Sequence, residues 1–188
     1  MNARPLTLAL LILMAVPAAP VALAQSAQKA PSPPPTLKSV LLDQLKSTHN
    51  QQDWFVPASK SVAGLTAEQA SWKQGDANHS IAQLVQHLVF WNQEQFAKMK
   101  KTKGPQYSGK NDETFGGSVD KAGWEKAAAD LDAVLTDMEK WIEAADDKTL
   151  QPWYDTIAHI SAHNAYHTGQ ILYIRKQQGS WDPNKGVK

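Results

Sequence analysis

Cysteine is absent from all 188 residues, and that gap removes three chemistries at once: disulfide staples, thiolate nucleophiles and zinc–thiolate sites. Any metal held by this chain must be held through nitrogen or oxygen. An excess of charge of either sign is missing too. Nineteen basic residues stand against eighteen acidic ones, so the chain carries no field that would draw nucleic acid or an anionic lipid surface. There is no Gly-rich phosphate loop and no Gly-x-Ser-x-Gly elbow, which leaves nucleotide-dependent and serine-hydrolase chemistry without support. No Glu-x-x-His pair occurs either, which argues against a di-iron carboxylate bundle. Alternation of apolar and polar residues bounded by turn signals is lacking throughout, so no sheet is expected.

What is present begins with a leader. Arg4 precedes an apolar run from Leu6 to about Val16, and Ala22-Leu23-Ala24 supplies a small-x-small cleavage site; this is the layout of a secretory signal peptide over residues 1–24, cut before Gln25. Pro17 and Pro20 break a run already shorter than the roughly 20 apolar residues that a spanning helix needs. No cysteine follows it, which removes lipid anchoring at that point. The expected destination is the periplasm or the exterior, with no membrane attachment after cleavage. Residues 25–35, QSAQKAPSPPP, read as an extended proline-rich linker. The remainder, 36–188, suits one domain with one core.

Four main helices are legible in that remainder. Leu37, Val40, Leu41 and Leu45 share a face of the first, which ends near Asn50. Short helical pieces follow over about Ala58 to Leu65 and from Thr66, where Thr66 and Gln69 form a capping box. Ser80 and Gln83 form another ahead of Leu84, Leu88 and Trp91, opening a helix expected to run to about Lys101. Residues 101–118 carry glycines, a proline and charges without periodicity and read as a long surface loop, a length that often carries function. Ser118 is the expected cap of a third helix, with Trp124, Leu131, Leu135, Met138 and Ile142 inward until AADDKT ends it. The fourth is expected from Pro152 to Gly179. Four such helices imply an all-α bundle. Trp124 and Trp141 belong to its core by their spacing, and Trp91, one turn from His87, is the best placed of seven tryptophans to line a pocket.

The fourth helix contains the segment HNAYHTGQI. Trp153, Ile157, Ile160, Ile171 and Ile174 form a broad apolar stripe, His163 and His167 fall inside it, His159 lies at its edge and Tyr166 faces away. Residues four apart bring their Cβ atoms to about 5–6 Å, so both imidazoles can turn one nitrogen to a shared ion at about 2.0–2.1 Å. Left unmet in an apolar seam, their ring nitrogens would cost on the order of 1–3 kcal/mol each. A divalent ion answers that need, and so do water, a tyrosine or backbone carbonyls. His87, beside the stripe of the second helix, offers a third nitrogen. Three ligands from two helices leave positions open for water or substrate, as in catalytic sites.

The patterns HSIAQLVQHLVFWN, AHNAYHTGQILYIRKQQG and DWFVPASKSVAGLTAEQA resemble the DinB-like family of four-helix bundles over about Thr36 to Gly179. The resemblance implies a bundle in up-down-down-up order and one divalent metal ion held by a histidine triad that maps onto His87, His163 and His167; zinc or nickel is the expected ion. Related proteins include thiol-dependent S-transferases and isomerases, while many have no assigned reaction, and the resemblance allows a homodimer. Export sits awkwardly with small cytoplasmic thiols, so metal-dependent hydrolysis of a small-molecule substrate competes with thiol transfer. His159 and His49 are candidate general bases by residue type. A non-catalytic metal-binding or interaction bundle is the alternative.

Overall fold

Thr36 starts the folded chain by accepting from the Ser39 amide while the Ser39 hydroxyl faces the Thr36 amide, and the helix so capped, α1, covers Leu37–His49. The structure, a computed structural model, describes residues 34–186; the expected signal peptide and all but the end of the expected linker lie outside them. The other α-helices are α2 (Ala58–Val62), α3 (Ala67–Ser71), α4 (Ile81–Lys100), α5 (Lys121–Ala144), α6 (Asp147–Leu150) and α7 (Tyr154–Gln177). No strand occurs among the described residues, and none of their helices is long and apolar enough to cross a membrane.

The four long helices pack in a ring: α1 touches α5 and α7, and α4 touches the same two. Their inward residues close one core, with Leu45, Val85, Leu88, Leu135, Met138, Ile142, Ile157 and Ile171 fully buried. Trp124 is buried and donates its indole N–H to the Leu65 carbonyl at 2.9 Å, pinning the α2–α3 corner to α5. Trp141 packs against the core edge.

Several expected boundaries shift. Leu37 and Val40 are exposed, because they sit in the first turn of α1, whereas Leu41 and Leu45 further along are buried in the core. The cap of α5 is Asp120, not Ser118: its carboxylate accepts from the Gly123 amide at 2.8 Å, the three-residue reach an N-cap requires. Asp146 similarly caps the extra turn of α6, and Pro152 lies in a 3-10 turn, Gln151–Trp153, so α7 begins at Tyr154. At its other end Gly179, at φ +72°, and Ser180 bond back to the carbonyls of Lys176 and Arg175, a Schellman stop. The 101–118 segment is not plain surface loop. It contains a 3-10 turn, Asn111–Phe115, whose Thr114 and Phe115 are buried against α4.

Candidate metal centre

Capping by Ser80 and Gln83 sets the phase of α4 so that His87 points inward, 3 % exposed, beside Leu84 and Leu88. From α7, His163 and His167 arrive one turn apart. The three rings meet edge to face, and their Nε2 atoms converge: His163 Nε2 lies 3.2 Å from that of His87 and 3.0 Å from that of His167. Two nitrogens held about 2.05 Å from a tetrahedral ion sit about 3.3 Å apart. The spacing therefore suits a shared ion, and the three residues form a group that could hold one.

The far side of two rings settles which nitrogen is free. Thr114 has one hydroxyl proton, and it goes to the Asn111 carbonyl at 2.6 Å. Its oxygen is thus the acceptor for His87 Nδ1–H at 2.5 Å, and His87 Nε2 keeps its lone pair. Gln170 turns its carbonyl oxygen to His167 Nδ1 at 2.7 Å while its amide donates to the Tyr166 hydroxyl at 3.2 Å, with the same consequence for His167 Nε2. Two lone pairs then aim at His163 Nε2. A neutral His163 has one proton there at most, whereas a cation would satisfy all three nitrogens.

Electrostatics keeps the rings in the donor form. Burial, with added repulsion from the imidazoles of His167, His163 and His79, pushes His87 down to about 3. Burial and His167 push His163 down to about 4. His167 is also lowered by burial, against the opposing hydrogen bond from Gln170. Neutral imidazole is the form that ligates a metal.

Phe115 closes one side. It stacks on His87 with ring centres 4.0 Å apart and on its other face carries His79 at 3.7 Å. Gly116 makes the turn that delivers it. At φ +61° and ψ −151° its backbone occupies a region open essentially to glycine alone, and a Cβ there would fall 2.0 Å from the Gln86 amide oxygen. One turn along α4 from the triad, Asn92 and Asn164 exchange side-chain hydrogen bonds at 2.9 and 3.3 Å, both buried, tying α4 to α7.

In front of the triad opens a cavity of about 630 Å³, lined among others by Trp91, Gln95, Phe115, His159 and Ile160. Trp91 thus lines a pocket as its spacing suggests. Tyr166 does not simply face away: though largely exposed, it forms part of the cavity wall and meets His167 edge-on at 4.9 Å. His159 stands at the same wall, exposed, 3.4 Å from Asp155. The structure takes His49 elsewhere. It is buried between α1 and α5, with Nδ1 2.7 Å from Glu139 and Nε2 3.0 Å from Asp132, so neither nitrogen is available to the cavity.

Sequence reasoning did not find Thr114, Phe115, His79, Asn92 or Asn164. Gln170 alone left a signal, standing three residues after His167 and so on the same helical face. Thr114 and Phe115 lie in an aperiodic stretch, where Phe115 just before Gly116-Gly117 is a faint hint of docking.

No curated protein and no solved structure gives a match to this chain. Residues 58–171, more than half of the sequence and a span containing all three histidines, match the DinB superfamily. With an all-helical fold and a buried histidine triad drawn from α4 and α7, the chain belongs to the DinB superfamily.

Proposed function

We propose that this protein is an exported metal-dependent enzyme in which His87, His163 and His167 hold one divalent ion, zinc or nickel, at the floor of the cavity. The observation that carries this reading is the convergence of three Nε2 atoms, two of them fixed as lone-pair donors, on a space facing a 630 Å³ chamber. Such an ion supplies Lewis acidity and acidifies a water or thiol brought to it, which fits hydrolysis or S-transfer. The chain's own residues do the rest. Thr114 and Gln170 hold the tautomers. Phe115, Trp91 and Ile160 present apolar surface beside the ligands. His159, on the wall and steered by Asp155, is placed to accept a proton from a substrate group. An open chamber ahead of the ligands favours this over a non-catalytic holder, whose coordination would be closed by protein.

The same proposal includes the up-down-down-up helix order. Lys38 at the start of α1 reaches the Glu143 and Ala145 carbonyls at the end of α5, whereas His49 at the end of α1 meets Asp132 nearer the α5 midpoint, which supports antiparallel α1 and α5. The cavity runs up α4 from His87 to Gln95 and down α7 from His167 to Thr156, which supports the same for that pair.

Metal per chain, measured by mass spectrometry on untagged protein beside His87→Ala and His163→Ala, tests the reading. About one ion in the parent, lost in both variants while the helical signal persists, is the expected result. No ion in the parent after supplying zinc, nickel and manganese would reduce the triad to hydrogen-bonded core histidines.

A further inference from the structure

The walls of the cavity are as informative as its floor. Its lining contains no lysine, arginine, aspartate or glutamate. Trp91, Phe115 and Ile160 supply apolar surface, while Gln95, Asn111 and Thr156 supply uncharged amide and hydroxyl groups. His87, Trp91 and Gln95 recur every four residues along α4, so the trough extends about 12 Å from the triad, enough for one or two rings. A volume of about 630 Å³ lies in the range of small-molecule sites.

Charge then selects the ligand. Three neutral imidazoles leave the double positive charge of an ion uncompensated, and no carboxylate on the walls offsets it. The incoming group that meets the ion is favoured when it is anionic or easily made so. Beyond that point the situation reverses: a second anionic group, carried on the body of the ligand, would lose water in a chamber with no lysine or arginine to receive it. Amides and hydroxyls can orient a neutral body by hydrogen bonds, and the aromatic walls favour a flat one.

We infer that the site, resting on its reading as a metal centre, takes a substrate with one metal-seeking head on an uncharged, flat, largely apolar body. Polyanionic carriers, including thiols decorated with several carboxylates or phosphates, do not fit these walls.

Three hydroxamates with the same head test this by titration of the cobalt-loaded protein, followed by visible absorption. Benzohydroxamate should bind at least tenfold tighter than acetohydroxamate, and 4-carboxybenzohydroxamate should lose at least tenfold against benzohydroxamate. Gln95→Lys, which places a cation on the wall, should restore the carboxylated probe. Equal binding of acetohydroxamate and benzohydroxamate would overturn the inference, as would tightest binding of the carboxylated probe to the parent. Indifference of that probe to Gln95→Lys would overturn the placement of the body along α4. A parent that takes up no cobalt gives a different result from any of these and overturns the metal reading itself.

Discussion

Replacing Thr114 by valine keeps the shape of the side chain and removes one oxygen, and the consequence for metal affinity can be worked from the hydrogen bonds on either side. In the parent, His87 Nδ1–H is received by Thr114 at 2.5 Å whether or not an ion is present. In Thr114→Val the metal-free ring has an escape. It moves its proton to Nε2 and donates to His163 Nε2, 3.2 Å away. An incoming ion must reverse that shift and leave Nδ1–H unmet beneath Phe115. An unmet buried donor costs about 1–3 kcal/mol; the free ring exchanges it for an unpaired Nδ1 lone pair, and the difference falls on binding. Since 1.4 kcal/mol is tenfold, affinity should drop about 10- to 100-fold, the range seen when outer partners of ligating histidines are removed.

The Asn111 carbonyl also loses its donor, but it does so with and without the ion, so it lowers stability and cancels from affinity. Competition against a chromophoric zinc indicator reads the affinity, and urea unfolding of the metal-free chain reads the stability separately. Thr114→Ser retains the oxygen and should stay within a few-fold of the parent. Parent-like affinity in Thr114→Val would refute the tautomer argument. So would an equal loss in Thr114→Ser, because the cause would then be packing of the 3-10 turn.

Three further outcomes follow from other parts of the structure. Gly116→Ala, forced into a backbone region that alanine avoids and against Gln86, should lower stability by about 1–3 kcal/mol and weaken metal binding by displacing Phe115 and Thr114; urea midpoints and the indicator assay check both. Asn92→Ala strands the Asn164 amide in the core and should cost about 1–3 kcal/mol, while Asn92→Leu with Asn164→Leu should cost less than the sum of the two single changes, as a double-mutant cycle would show. For His49, burial pulls the pKa down, but the hydrogen bonds and charges of Glu139 and Asp132 outweigh it and the net direction is up from 6.5; the clamp between α1 and α5 is therefore at full strength below about pH 6.5 and weakens as pH rises through the raised folded value. Urea unfolding between pH 6 and 9 should show that decline in the parent and a flatter profile in His49→Gln.

The parts of this molecule that were legible in the sequence are those where one physical signal acts alone. Capping boxes at Thr66 and Ser80 fixed two helix starts to the residue, because a hydroxyl three positions before a glutamine satisfies two stranded amides at once. The stripes of α4 and α5 gave their inward faces for a similar reason. Where two caps were available the choice failed: Ser118 and Asp120 are both good N-caps, and only the docking of Phe115 and Val119 decides how far the loop extends before α5 can begin. The 3-10 turn was invisible because its stability is tertiary. Thr114 and Phe115 are held inward by the Nδ1 and the face of His87 and by the ring of His79, with Gly116 making the turn that allows it.

α7 was legible as a helix from its isoleucine stripe, but the partners of its buried polar groups were not. Its inner face buries Ser161, Asn164, His167, Thr168 and Arg175 among the isoleucines, so the apolar stripe that marks a core helix is diluted by polar groups. Two of these groups find their partners on other elements: Asn92 on α4 for Asn164, and the Ser61 and Ala63 carbonyls by α2 for Arg175. Periodicity along one helix cannot contain that information, which exists only once the ring of helices has closed. A buried polar residue is an expense in packing that a purely structural helix would avoid. Its presence at spacings of three and four along α7 therefore points to function, while the stripe of isoleucines still marks the helix. His163 and His167 stood out as a pair because they interrupt that stripe.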